Sequence, residues 1–271
     1  MQGKGMLLEG LYGLGVGLAL GLTGGGGVLA VPALVLGLGL SLGEAVPVSL
    51  IAVGLAALLG CLDGLRQGLV RYKAALLMAG CGALCAPLGL WLAGRLPVAL
   101  LMVLFCLALL FIAARMARQA LAGAGGEAAP GVLGRNCMLN PDTGRFRWNP
   151  RCFFSLSAIG GLSGLFSGLF GVGGGFLIVP GIRQFSNLAM HAIVVTSLAV
   201  IALISASTVA GVLLSGRELV PGAWTFVAAA VVGMLGSRLL APHLPARYLQ
   251  LGFAVLAGLS ALMLLGKTLM A

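Results

Sequence analysis

The sequence predicts an all-α, polytopic transmembrane helical bundle of two inverted repeats, each with a glycine-tipped broken or re-entrant helix hairpin plus three spanning helices. Three observations predict this fold: an extremely apolar composition, an internal duplication, and one very short apolar segment in each half. The chain of 271 residues is 60% hydrophobic and 8% charged, with a mean hydropathy of +1.14. About a quarter of the residues in soluble domains are charged, so this composition indicates a membrane protein.

The duplication is seen in two glycine-rich stretches, LTGGGGVLAVP at residues 22–32 and FGVGGGFLIVP at residues 170–180. Pro32 and Pro180 lie 148 positions apart, and the same offset pairs Ser49 with Ser197 and Phe105 with Phe253. A register kept over so many positions indicates a repeated unit. We therefore divide the chain into an N-terminal repeat (1–118), a linker (119–150) and a C-terminal repeat (151–271).

Each half contains five apolar segments, and the second one is too short to cross a membrane. The segments are 7–22, 28–40, 45–62, 74–94 and 98–114, followed by 153–170, 176–182, 192–214, 223–241 and 248–266. The last three of each set approach the length of about 20 residues that spans a bilayer core. The short segments follow directly after the glycines, so we expect hairpins that end inside the membrane, where protein or water must cover the turn.

The distribution of basic residues predicts the orientation. If the polar linker is cytoplasmic, twelve of the sixteen lysines and arginines lie inside, and Lys4, Arg95, Arg217 and Lys267 lie outside. A hairpin counts as zero or two crossings, so each half crosses an odd number of times and the halves are inverted. We expect a multi-pass protein of the plasma (inner) membrane with both termini outside, its first apolar segment kept rather than cleaved as a signal peptide, and a small β-hairpin at residues 139–148 of the linker.

The glycine clusters predict an anion site. Successive glycines expose backbone N–H groups, and the N-termini of the short helices add partial positive charge. Glycines that only allow close helix packing are the alternative, but two register-matched clusters before Val-Pro favour binding, and we expect Gly26 and Gly174 to lie at facing hairpin tips that together bound the site. We predict Arg183 in an inner vestibule. The predicted substrate-binding residues are Thr23, Gly24, Gly25, Gly26, Gly27, Ser49, Gly171, Gly173, Gly174, Gly175, Thr196 and Ser197.

Other ligands are not expected. Of the six acids only Glu9 and Glu44 lie neither beside an arginine at a helix end nor in the linker, and both are predicted near the outer face, which disfavours a cation site. No metal or cofactor motif is present, and the scattered basic residues do not form a nucleic-acid patch. The expected partners are a small anion, a coupling proton or ion, and the lipid bilayer; the oligomeric state stays open. We interpret all six cysteines as small buried residues: Cys61, Cys81, Cys85, Cys106, Cys137 and Cys152.

Two alternatives to a transporter remain. GLSG at residues 161–164 would suit an intramembrane serine protease that uses Ser163, but its base would have to be His191 or His243, and both are predicted at inner helix ends. We therefore do not expect an enzyme. A structural membrane protein that transports nothing is the other alternative, and the paired hairpins argue against it.

Several motifs together resemble the sulfite exporter TauE/SafE family of membrane permeases: GLTGGGGVLAVPAL, its second copy FSGLFGVGGGFLIVP, VVTSLAVIA, and NPDTGRFRW in the linker. The resemblance covers essentially the whole chain. It implies a secondary transporter of small anions, often sulfur-containing, such as sulfite or organosulfonates, that works by alternating access at the repeat interface. Where the second half has Thr196 and Ser197, the first has Val48 and Ser49, so the two halves do not offer the same hydroxyls.

Overall fold

The computed structural model describes residues 2–121, 137, 149–186, 188, 190–214, 224–240 and 246–270. These residues are almost entirely helical and contain no β-strand, which confirms the all-α prediction. The first half contains α1 (Gln2–Thr23), α2 (Gly26–Gly37), α3 (Leu42–Arg66), α4 (Tyr72–Arg95) and α5 (Val98–Leu121). The second half contains α6 (Pro150–Phe170), α7 (Gly175–Phe185), α8 (Met190–Leu214), α9 (Trp224–Leu240) and α10 (Ala246–Met270).

Within the described ranges, five helices are long and apolar enough to cross a membrane, namely α3, α4, α5, α6 and α8. The described apolar parts of α9 and α10 are shorter. This composition and these lengths confirm a polytopic helical membrane protein. The linker's predicted β-hairpin, at residues 139–148, lies outside the described residues.

The helices of the two halves are interleaved in one bundle. The six most extensive contacts among the described helices join α4 with α6, α1 with α9, α5 with α10, α3 with α8, α4 with α8, and α3 with α9. Each of them joins one half to the other. If each helix is replaced by its counterpart in the other half, the contact of α4 with α6 becomes the contact of α9 with α1. The same replacement turns the whole set of six contacts into itself.

Glycines make two of these contacts very close. A Cβ on Gly164 of α6 would overlap the backbone of Gly82 in α4, and a Cβ on Gly17 of α1 would overlap the backbone of Ala230 in α9. Small residues at helix contacts are common in membranes because they let backbones approach. The packing interpretation of glycine is therefore correct for these mid-helix positions.

The short helices return along the long helices that precede them. Along α2, Gly26 lies beside the backbone of Ala19 and Leu20, and Gly37 lies beside the ring of Tyr12. α2 is irregular, with a 3₁₀ turn at Gly26–Leu29, an α turn at Ala30–Pro32 and a π turn at Ala33–Gly37. α7 returns along α6 in the same way. In each hairpin the short helix therefore packs back against the helix that precedes it.

A disulfide bond between Cys137 and Cys152 corrects the prediction that all six cysteines are simply small buried residues. Their Cα atoms lie 4.9 Å apart, within the usual range for a disulfide. The N–H of Cys137 also donates to the carbonyl of Phe185 at 2.9 Å. This linker residue thus joins the start of α6 to the end of α7. Cys61 and Cys106 are buried free thiols, and Cys81 and Cys85 are partly buried ones.

Candidate functional site

The two glycine tips lie at the middle of the bundle, between the central helices α3 and α8. Each of these helices has 25 residues, and Val53 and Ile201 are the twelfth residues of α3 and α8. A Cβ on Gly27 would lie 2.9 Å from Val53 Cγ1, and a Cβ on Gly173 would lie 3.2 Å from the same atom. Ile201 contacts the second tip at Gly173 and Gly175. The tips therefore lie halfway along both central helices.

The backbones of the two tips touch each other. A Cβ on Gly27 would lie 3.0 Å from the carbonyl oxygen of Val172, and one on Gly175 would lie 2.8 Å from that of Gly24. Both distances are shorter than side-chain carbons normally make with backbone oxygen. Only glycine at these positions allows the tips to approach this closely.

Gly26 and Gly174, which we expected at facing hairpin tips, each turn toward the helix that precedes them in their own hairpin. A Cβ on Gly26 would overlap the backbone of Ala19 and Leu20 in α1. A Cβ on Gly174 would lie 2.8 Å from the Cβ of Ser163 in α6. These two glycines therefore lie in tips that touch, but the way each tip folds back points their own Cβ positions at the preceding helix. That they bound an anion site stays a prediction.

Two threonines predicted for the site already have hydrogen-bond partners within the protein. The Thr23 hydroxyl donates to the carbonyl of Ala19 at 2.7 Å and accepts from the N–H of Gly25 at 3.2 Å, so it closes the first turn. Thr196 is fully buried and accepts from the backbone N–H of Arg71 at 3.3 Å. The Nε of Arg71 is buried and has no hydrogen-bond partner in the part of the chain that the structure describes.

Ser49 and Ser197, which the offset of 148 residues pairs, each contact the other half of the chain. The hydroxyl of Ser49, on α3, donates to the carbonyl of Gly171 in the second tip at 2.6 Å. Ser197, on α8, donates to the carbonyl of Val194 at 2.7 Å, and its oxygen would lie 2.8 Å from a Cβ on Gly24 in the first tip. The serine of each half therefore lies against the glycine tip of the other half.

Unpaired backbone donors are buried at both tips. The N–H groups of Gly26 and Gly27 at the start of α2, and of Gly175 and Phe176 at the start of α7, have no hydrogen-bond partner among the described residues. All four residues are buried. Such donors add partial positive charge at a helix start and are costly to leave unpaired. Four tip glycines have left-handed backbones that other residues rarely adopt: Gly24, Gly171, Gly173 and Gly174.

Sequence reasoning missed Ser205 and gave Ser163 only a protease role. Both serines are buried, and neither hydroxyl has a partner in the described ranges. Ser163 therefore has no base to activate it there; His191 is exposed at the start of α8, and His243 lies outside those ranges. The spacing of hydroxyls along α8, at residues 197, 205 and 208, was the signal that could have identified Ser205.

Arg183, predicted for the vestibule, is exposed and lines a cavity of about 140 Å³ together with Arg115. Arg115 donates to the side-chain oxygen of Gln184 at 3.0 Å. The rest of the wall is mainly apolar and includes Phe176 in the first turn of α7. The cavity thus extends along α7 from two arginines toward the second tip.

Glu9 and Glu44 both have structural partners. Glu44 accepts from both the backbone N–H and the hydroxyl of Ser41 and caps the start of α3. Glu9 accepts from the hydroxyl of Thr225. The described part of the chain contains no group of histidines, cysteines and acids that could hold a metal ion. The described residues of the tips therefore present hydrogen-bond donors and no carboxylate.

Comparisons with known proteins identify the family of the chain. The family model described as "Sulfite exporter TauE/SafE" matches residues 10–264. Two relatives, each named "Probable membrane transporter protein", come from Xylella fastidiosa strains 9a5c and Temecula1 / ATCC 700964, and both are 34% identical over 167 residues. The match covers 61% of this chain and 58% of each relative. No solved structure matches the chain. With a family match over nearly its whole length, the chain belongs to the sulfite exporter TauE/SafE family.

Proposed function

We propose that this protein is a secondary transporter of small anions, with sulfur oxyanions such as sulfite and organosulfonates as the substrate class. One observation carries the proposal: two buried glycine tips, each starting a helix with unpaired N–H groups, touch at the middle of α3 and α8. The family name and the names of the Xylella relatives support a transport role.

An anion satisfies the tips better than any other ligand class. Buried N–H donors without acceptors cost free energy, and an anion supplies the acceptors they lack. The partial positive charge of two helix starts adds attraction at a place where water is largely excluded. A cation would meet the same charge without a carboxylate to balance it.

The interleaved halves support transport by alternating access as the mechanism. The tips touch and are buried, so this conformation is closed around the site. Movement of one hairpin against α3 and α8 would open the site to one side, and the equivalent movement of the other hairpin would open it to the opposite side. This requires the two halves to be inverted across the membrane, and we place the linker on the cytoplasmic side.

The test is uptake by proteoliposomes that contain the purified chain. Labelled sulfite, thiosulfate or sulfoacetate should enter faster than into empty liposomes, and an excess of the unlabelled anion should compete. Taurine is the matched probe, because it keeps a sulfonate but adds an ammonium group that the tips have no carboxylate to bind. Failure to transport any of the three anions, from a protein that remains folded, would remove the proposed function.

A further inference from the structure

Four buried hydroxyls line the contact between α6 and α8. Ser163 and Ser167 lie one turn apart on α6, and Ser205 and Thr208 lie one turn apart on α8. The Ser167 and Thr208 oxygens are 3.4 Å apart and share a hydrogen bond. Ser163 and Ser205 have no such partner. The contact therefore contains one satisfied pair and one unsatisfied pair.

The missing partners are unusual for serines in apolar helices. A serine in a helix normally donates to a carbonyl three or four residues earlier, as Ser49, Ser197 and Ser237 do here. Ser163 and Ser205 are at most 1% exposed, so water at the surface does not satisfy them. Ser157 also has an unpartnered hydroxyl, but it is only partly buried and lies nearly two turns before Ser163.

Both unsatisfied serines flank the second glycine tip. A Cβ on Gly173 would lie 3.0 Å from the Ser205 oxygen, and one on the next residue, Gly174, would lie 2.8 Å from the Ser163 Cβ. The following residue, Gly175, starts α7 with an unpaired N–H group. Two free hydroxyls and the start of a helix are therefore brought together from α6, α8 and α7.

We propose that the Ser163 and Ser205 hydroxyls bind the transported anion directly, together with the N–H groups at the start of α7. The inference rests on the proposed transport function and identifies ligands of its site. The offset places Gly15 and Ala57 at the corresponding positions of the first half, and neither has a hydroxyl. The anion is therefore held mainly by the second hairpin, and the first hairpin closes over it.

The test compares Ser163→Ala and Ser205→Ala with Ser237→Ala as the matched control. Ser237 is equally buried, but its hydroxyl donates to the carbonyl of Met234 at 2.6 Å and does not face a tip. The readouts are the KM for sulfite, thiosulfate and sulfoacetate in proteoliposomes and the melting temperature of the purified protein without anion. A change in KM without a fall in melting temperature indicates weaker anion binding. A fall in melting temperature indicates a loss of folding stability.

Loss of either free hydroxyl should raise KM by about tenfold, as expected for one hydrogen bond to a charged group. The melting temperature should stay the same or rise, since no bond within the protein is lost. Ser237→Ala should leave KM unchanged. A KM within about twofold of wild type for Ser163→Ala or for Ser205→Ala would overturn the inference. Uptake of the anions by the wild-type protein would still leave the proposed function standing. If the folded wild type transports none of the three anions, the proposed function itself fails and the inference falls with it.

Discussion

The hydroxyl of Ser49 is the clearest link between the two halves at the scale of single residues, because it ties α3 to the second glycine tip through the carbonyl of Gly171. Ser49→Ala would leave this buried carbonyl without its donor. We expect the free energy of unfolding to fall by about 1–3 kcal/mol, measured by thermal or denaturant unfolding in detergent.

Ser197→Ala is the matched control, because the Ser197 hydroxyl donates to a carbonyl of its own helix. Removing the Ser197 hydroxyl should lower the free energy of unfolding by less, because its hydrogen bond lies within a single helix. Equal losses in the two variants would contradict the role of Ser49 as a tie between halves.

Alanine substitutions at two tip glycines, one where a Cβ would be too close to the other tip and one where it would fit, test whether the tips must touch. In Gly175→Ala the new Cβ would lie 2.8 Å from the Gly24 carbonyl and push the tips apart. In Gly25→Ala it would lie 3.5 Å from the Phe176 Cα, an ordinary contact, and the φ of −121° suits alanine. We expect transport per folded molecule to fall at least about tenfold in the first variant and to stay near wild type in the second.

Similar activity in the two alanine variants would show that tip contact is not needed for transport. Gly26→Val and Gly174→Val would be poorer tests. At both positions a side chain would strike the preceding helix of the same hairpin, so lost activity could follow from lost folding alone.

Arg183 lines the cavity that leads toward the second tip, and we expect it to attract anions from solution. Arg183→Gln should weaken apparent affinity by about two- to fivefold at low ionic strength and less at high ionic strength, because salt screens exposed charges. The measurement is the KM for sulfite at two salt concentrations. Arg95→Gln is the control, since Arg95 lies over the ring of Trp91 away from this cavity. If the effect did not depend on salt, Arg183 would serve only as a positive charge that helps to set the orientation of the chain in the membrane.

At the scale of helices, the sequence predicted both hairpins but not the directions of their glycines. The short segments 28–40 and 176–182 indicated α2 and α7 because their lengths cannot span a bilayer. The turns themselves differ: two residues separate α1 from α2, and four separate α6 from α7. Which glycine faces which neighbour depends on these turn geometries, so a fixed offset of 148 could not predict it.

The free hydroxyls of Ser163 and Ser205 were missed for a related reason. A hydroxyl in an apolar helix is satisfied or unsatisfied according to the helix it packs against, and the contact of α6 with α8 joins distant parts of the chain. The bond between Cys137 and Cys152 could not be predicted either, because the path of the linker decides which cysteine lies beside α6. Composition and segment length determine helices well, whereas pairs of side chains depend on tertiary packing.

At the scale of the whole molecule, the predicted orientation and the disulfide indicate different compartments for the linker. The sequence predicts that twelve of the sixteen basic residues lie on the linker side, which favours the cytoplasm. Disulfides are rare there because the compartment keeps thiols reduced. We therefore expect Cys137 and Cys152 to be thiols in living cells and to pair when the protein is purified without reductant.

Thiol trapping during rapid lysis measures this state, and a reporter fused at Gly144 measures the side directly. A fully formed disulfide in trapped cells, together with an extracytoplasmic reporter signal, would reverse the orientation. The prediction that the two halves are inverted relative to each other would be unaffected.

The central claim is that an anion binds where the two glycine tips meet, and the most direct measurement is anomalous X-ray scattering from crystals soaked in selenite, the selenium analogue of sulfite. We predict a selenium peak between the tips, with its oxygens within hydrogen-bonding distance of the Gly175 N–H and of the Ser163 and Ser205 hydroxyls. A selenium peak found only elsewhere, such as in the cavity lined by Arg115 and Arg183, would contradict the account.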